Sequence, residues 1–335
     1  MKSSRLAMTA VIAAALLFVG RGAIRADDTQ GGSTPAQTNN PPAKTNNAPA
    51  QPTPEEKPPP LPLHQIEGSG GIFSTLSAYL VNPPRSGECF GRPSLGFSYV
   101  NIGHGQNLEA LTITETPWER LELGYAWDRL DLGDLPQAIQ TATTVNISPK
   151  EIYLHNFNAR LQLLKEGEFG QKWLPAITFG SDTKYNQNYQ EINQELGGAL
   201  KKAGITHDTG EDLTLYASKM FTLLPRPVLV ELGGRATEGV WNGLAGFTSH
   251  YDVLFEGNVV AFLFPQVALA FEYRQQPNQY KPIDGLVHKE GDWWTVDAAY
   301  VVNSHLTLAA GYGHFGYVLN HQANGVWGLT TKWEF

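Results

Sequence analysis

Past residue 26 the chain has no run of about 18 or more apolar residues, so a transmembrane helix is excluded there. In place of one it repeats about ten residues of alternating polarity followed by turn residues, the pattern of amphipathic strands. "LELGYAWDRL" sends Leu121, Leu123, Tyr125 and Trp127 to one face and Glu122, Gly124, Ala126 and Asp128 to the other, because strand side chains alternate. "VALAFEYRQ" sets Val267, Leu269, Phe271 and Tyr273 opposite Ala268, Ala270, Glu272 and Arg274. "WWTVDAAYVV" sets Trp294, Val296, Ala298, Tyr300 and Val302 opposite Thr295, Asp297 and Ala299. One face is large and aromatic; the other is small, polar or charged.

That contrast separates two all-β solutions. A soluble sandwich buries its large face and wets the other. A membrane barrel turns the large face to lipid and its Gly, Ala and charges to the lumen. Charged residues make up 17% of the chain, against roughly 25% in a typical soluble domain. Many of the 34 glycines fall on polar faces. The fold class is therefore all-β: a transmembrane antiparallel β-barrel of about 12 strands. The strands are placed at 94–102, 106–114, 119–128, 152–164, 173–186, 212–223, 227–238, 250–263, 266–276, 292–302, 304–315 and 325–335. An even count puts both ends of the barrel on one side, the periplasmic one, with short turns there and long loops outside. "GGIFSTLSAYLVNPP" (70–84) would make a thirteenth strand, so it is assigned to a periplasmic or lumen-inserted plug segment.

The N-terminal region reads as export machinery followed by spacer. Residues 1–26 carry Lys2 and Arg5, an apolar core from about Leu6 to Val19 and then small residues, the form of a cleaved signal peptide. Residues 27–63 are rich in Pro, Asn and Gln and read as a disordered periplasmic linker. The barrel is expected over 64–335. Removing 1–26 takes away Lys2, Arg5, Arg21 and Arg25 and moves the formal charge from −8 to −12. So acidic a protein is no candidate for nucleic acid. One cysteine, Cys89, permits no internal disulfide.

The other end is equally informative. In "GVWGLTTKWEF", Trp327, Leu329, Thr331, Trp333 and Phe335 share one face, and Lys332 and Glu334 the other. A terminal Phe behind alternating apolar residues resembles the assembly signal of bacterial outer-membrane barrels. That implies outer-membrane lipid, the barrel-assembly machinery and periplasmic chaperones as partners, and the Gram-negative outer membrane as the location. Five further stretches, "KWLPAITFGSDTKYN", "TLYASKMF", "GLAGF", "ALAFEYRQQP" and "DWWTVDAAYVVNSHLTLAAGYGHFG", carry a family likeness. Together they resemble the bacterial family catalogued as domain of unknown function 3034, over most of residues 65–335. The resemblance implies an outer-membrane barrel and brings no activity and no functional residues to carry over.

The lumen face is where chemistry would sit. By parity it holds Glu122, Asn158, Arg160, Lys184, Glu231, Arg235, Glu256, Glu272, Arg274, Asp297 and Lys332, with Asp128, Asn156, Asp182, Asn258 and Glu334 among them. These are the candidate pore-lining residues of a passive, porin-like channel for small polar solutes, with charge setting selectivity. The competing reading is a non-conducting structural or adhesive barrel, in which opposite charges pair across a filled interior. Twelve strands lie between small filled barrels and 16-stranded porins, so size leaves both open. Loop 187–211 contains a short amphipathic helix that either narrows the lumen or rests on the rim, the rim being the simpler. A lipid-active hydrolase is the third reading. Ser249 and His250 are the nearest nucleophile–base pair, but neighbours on a regular strand point to opposite faces. No catalytic residue, cofactor or metal site is assigned, because the nine His residues are scattered without metal-ligand spacing. "GSGG" and "GHGQN" do not lie between a strand and a helix, so they read as flexible chain and a hairpin turn rather than phosphate cradles.

Overall fold

A computed structural model describes residues 62–85, 87–282 and 288–335. The expected signal peptide and nearly all of the expected linker lie outside these residues.

Twelve antiparallel strands close into a barrel. Two strands of two residues come first, β1 (Leu63–His64) and β2 (Gly70–Gly71), and belong to a separate small sheet. The wall begins with β3 (Ser94–Gly103), β4 (Gln106–Glu115), β5 (Leu121–Leu132), β6 (Glu151–Leu164) and β7 (Ala176–Asn186). It continues through β8 (Thr209–Phe221), β9 (Val228–Gly239), β10 (Phe247–Phe264), β11 (Val267–Arg274), β12 (Trp293–Val301) and β13 (Leu306–His314). The hairpin β14 (Tyr317–Val318) and β15 (His321–Gln322) follows, and β16 (Val326–Glu334) completes the wall. Each wall strand pairs with its neighbour in sequence order, and β16 returns to β3 with Glu334 opposite Ser94 and Trp327 opposite Asn101. Closure pairs both edges, which a sheet in hydrocarbon requires because no water is there to satisfy a free edge. The twelve expected strands all form, most with ends within a few residues of those read from polarity.

The alternation dictates the layers. On β16, Val326, Gly328, Thr330, Lys332 and Glu334 are buried while Trp327, Leu329, Thr331, Trp333 and Phe335 face out. The outer face carries exposed Leu111, Leu123, Phe157, Leu215, Phe271 and Val296 from strands around the wall. Cross-strand aromatic pairs sit near one end of this belt, Tyr99 with Trp327 at 5.7 Å and Trp127 stacked on Tyr153 at 5.6 Å between ring centroids. At the other end Trp118, Trp173 and Phe264 are exposed beside the short turns. An apolar band edged by aromatics at both ends is the surface that a bilayer covers.

The two ends differ. At the end shared by Ser94 and Glu334 the turns are mostly short, down to Pro265-Gln266 between β10 and β11. At the opposite end one pair of wall strands is joined by a tight hairpin, His104-Gly105, with positive φ at both residues as its turn type demands. The remaining connections there are long. They contain α1 (Leu135–Thr143), α2 (Tyr189–Glu195), α3 (Ala199–Ala203) and a 3-10 turn at Trp241–Gly243. Pro136 stands at the start of α1, where its missing N–H costs nothing, and Gly204 ends α3 with φ 102°.

The interior is occupied by residues 62–82. β1 and β2 pair across a turn at Gln65–Gly68, and a second turn closes with Ile72 N–H donating to Thr75 O at 3.0 Å. Wall glycines make the room. A Cβ on Gly124 would stand 2.2 Å from the Gly68 carbonyl oxygen, and one on Gly328 would stand 2.6 Å from the Phe73 ring. Gly124→Leu is therefore expected to displace the segment. The check is limited proteolysis of the folded, heat-modifiable barrel: cleavage within 63–82 should appear in the variant and not in the parent.

Candidate functional site: a charged lumen clamped on its own plug

Parity delivers every expected lumen residue to the inside, and all are buried. They do not face an open passage in this conformation. Nine of the eleven, all but Glu256 and Asp297, hydrogen-bond directly to the segment 62–82.

The plug is held at several heights. His64 bonds Thr112 Oγ1 through Nδ1 at 2.7 Å and Ser94 Oγ through Nε2 at 2.5 Å. Lys332 Nζ donates to the Pro62 carbonyl at 2.7 Å, and its other partner is Glu334 at 2.7 Å. Glu122 accepts from Gly70 N–H at 3.0 Å and Val81 N–H at 2.7 Å while pairing with Arg160 at 2.8 Å. Arg160 in turn donates to Gly70 O at 2.9 Å and to Ser77 O. Across the barrel, Glu272 receives the amides of Phe73, Ser74 and Thr75 at 2.7 to 3.2 Å. Three successive N–H groups converging on one carboxylate form an anion nest, here built by the plug for a wall residue. Glu231 takes Ser77 Oγ and Ser218 Oγ, and Asn158 Nδ2 donates to Glu67 O at 2.5 Å.

The densest charge surrounds Glu67. Its carboxylate meets Lys184, Arg235 at 2.8 Å and Arg274 at 3.4 Å. Asp212 lies 2.8 Å from Lys184 and 2.6 Å from Arg235, and Glu256 lies 2.8 Å from Arg235. Three carboxylates thus alternate with three cations, with Asp182 at 3.5 Å from Lys184 on the edge of the cluster. Asp297 stands one step back from the plug, bonded by Thr295 Oγ1 at 2.8 Å. A void beside Glu67, Asn158 and Arg160 measures about 10 Å³, room for about one water.

Above the charge, toward the long loops, the filling turns apolar. Ile66 and Phe73 of the plug join Val100, Trp241, Phe247, Trp293 and Phe315 in one cluster. The 240–246 loop dips into the mouth, where Asn242 accepts from Arg274 NH2 at 2.6 Å and from Lys184 at 3.3 Å. The helices α1 to α3 pack against this loop through Ile139, Ile192 and Leu244, so the constriction at the mouth is the loop and not the helix expected in 187–211. Glu290 is buried in the same region; burial pushes its carboxyl well above the usual range, opposed by the Trp241 N–H and Arg274.

Other chemistry is sparse. Ser249 and His250 are exposed where the β9–β10 register shifts between Phe247 and Asp252, and no hydrogen bond joins their side chains among the described residues. The His residues that appear scattered in sequence include one gathered set. His104, Asp134 and His321, from three loops, bring potential ligand atoms within 4.8 Å of one another. The rings of His104 and His321 stack at 3.7 Å, and His321 Nε2 lies 2.7 Å from Asp134 Oδ1. Stacked face to face, the two imidazoles do not direct their in-plane lone pairs at one point, so the grouping by itself assigns no metal role. Glu67, Asp182 and Asp212 also cluster, but Lys184 and Arg235 are already paired with them.

Removing one member of a buried ion cluster leaves uncompensated charge. Glu67→Ala is expected to cost about 3–5 kcal/mol, read as a lower urea midpoint in lipid vesicles. Adding Arg235→Met to that variant should restore part of the loss, because the two side chains share one interaction.

Among solved structures the chain is similar to the KdgM porin, at 9% identity and TM-score 0.45 over 72% of this chain and 99% of that one. It is similar to the NanC porin at 11% identity and TM-score 0.43, covering 72% and 100%. The COG4313 outer membrane channel from Pseudomonas putida F1 gives 12% identity and TM-score 0.41, covering 76% and 98%. Likeness at this level carries no solute and no role across. No curated protein matches the chain. The family model described as protein of unknown function, DUF3034, matches residues 63–331, and the chain belongs to that family.

Proposed function

We propose that the protein is an outer-membrane channel for small polar solutes that its own residues 62–82 hold closed. The observation that carries this reading is the polarity of the contact between plug and wall. A barrel that only needed filling could use apolar side chains, since replacing buried ion pairs with well-packed apolar residues is often neutral or stabilising. Here Glu122, Glu231 and Glu272 are spent on plug amides and hydroxyls, and Glu67 on three wall cations. Water can take over each of these bonds when the segment leaves. The wall left behind would be hydrophilic, lined by Arg160, Arg235, Arg274, Glu256 and their neighbours, and its charge would select among solutes.

The alternative is a permanently filled structural barrel, which the void of about 10 Å³ beside Glu67 favours. Planar-bilayer recording separates the two. The full mature chain should be silent or open rarely, and deletion of 63–82 should give stable conductance steps. In that deletion background Arg274→Glu should shift ion selectivity toward cations. A folded deletion variant that stays silent would leave the structural barrel as the reading.

A further inference from the structure

The cap of loops bounds a second, partly open space of opposite character. A cavity of about 190 Å³ lies at the long-loop end, bounded by Leu135, Ile139, Ile192, Leu200, Leu244 and Leu319 among others. Its walls come from α1 and the residues just after it, the consecutive helices α2 and α3, the 240–246 loop, Leu319 between β14 and β15, and the strand ends at Leu132, Ile152 and Asn186. Three side chains with polar atoms line it, and all three are bonded to main chain, Tyr189 through its hydroxyl to Ile205 O at 2.6 Å. Asn186 Nδ2 donates to Gly243 O at 3.0 Å and Leu244 O at 2.8 Å, and its Oδ1 accepts from Asn188 and Tyr189 N–H at 3.0 and 2.9 Å. Thr143 Oγ1 donates to Ile139 O at 2.7 Å and accepts from Val145 N–H at 3.2 Å. With these groups satisfied, the wall offers nothing to hydrogen-bond a sugar or an ion.

We infer that this cavity is a binding site for an aliphatic chain, distinct from the polar path through the barrel. An apolar cavity of about 150 Å³ already takes up benzene, and this partly open one is larger. Close packing is the rule in interiors, because a void forfeits dispersion contacts along its whole lining. Loop helices that present Ile139, Ile192 and Leu200 to such a space, where they could have collapsed onto one another, keep room for a guest of matching chemistry. The chain could belong to a free fatty-acid-like amphiphile or to a bilayer lipid; the pocket's chemistry is common to both.

The test uses the full mature protein in phospholipid nanodiscs. Decanoate is titrated calorimetrically against empty-disc background, and retained lipid is measured by native mass spectrometry. Ala245→Phe and Ala199→Phe each place a ring in the cavity from a different wall, and heat-modifiability confirms that each has folded. One-to-one decanoate binding, weakened at least tenfold in both variants, assigns the site to a free amphiphile. One phospholipid retained by the parent and lost from both variants assigns it to a bilayer lipid. Neither signal, equal signals in parent and variants, or displacement by maltose would overturn the inference.

Discussion

The closed hydrogen-bond ladder is the constraint on which everything else depends. In hydrocarbon a free strand edge leaves a row of N–H and C=O groups without partners. The β16–β3 pairing removes that edge, with eight paired positions from Trp327–Asn101 to Glu334–Ser94. Closure in turn fixes what each side chain faces. Because alternation is strict, a wall that shows Trp327, Leu329 and Trp333 to lipid must show Gly328, Thr330 and Lys332 to the interior. Which residues line the lumen is thus fixed by which residues face lipid.

A charged interior of this width must be either wet or paired. The wall here is paired with the chain's own N-terminal segment, and the pairing is reciprocal. Wall carboxylates Glu122 and Glu272 collect plug amides, while the plug carboxylate Glu67 collects wall cations. Glycine decides where the segment can lie, since Gly124 and Gly328 let Gly68 and Phe73 approach to distances that a side chain would forbid. Salt bridges, amide nests and glycine sockets therefore specify the same path for residues 62–82.

Much of this was legible in the sequence, because period two is a local property that no tertiary contact overrides when lipid lies on one side. Strand positions, parity and the interior placement of Arg160, Lys184, Arg235 and Arg274 all follow from it. What fills the interior does not, for the partner of a lumen charge can lie anywhere in the chain. Glu67 is 168 residues from Arg235, and nothing in its neighbourhood marks it as a ligand for three cations. The same limit hides His104, Asp134 and His321, whose proximity depends on three loops folding over one mouth. The 187–211 loop shows the limit from another side: its helical periodicity is real, but the residue that enters the mouth, Asn242, comes from a loop with no such signal.

Plug and cap pack in one apolar cluster, and this shapes how the proposed channel would open. Ile66 and Phe73 belong to the same apolar cluster as Trp241, Leu244 and Phe247 of the cap. Withdrawal of the plug toward the short-turn end would free the polar contacts of Glu67 and His64 to water at little net cost, because each broken bond is replaced. It would also strip Ile66 and Phe73 from that cluster, and exposed apolar surface has no such replacement: about 25 cal/mol is lost for every Å² uncovered. The polar contacts would then position the segment while the apolar contact at the mouth sets the cost of leaving. Whatever loosens the cap, including a guest that wedges its helices apart, would lower that cost without touching a single salt bridge.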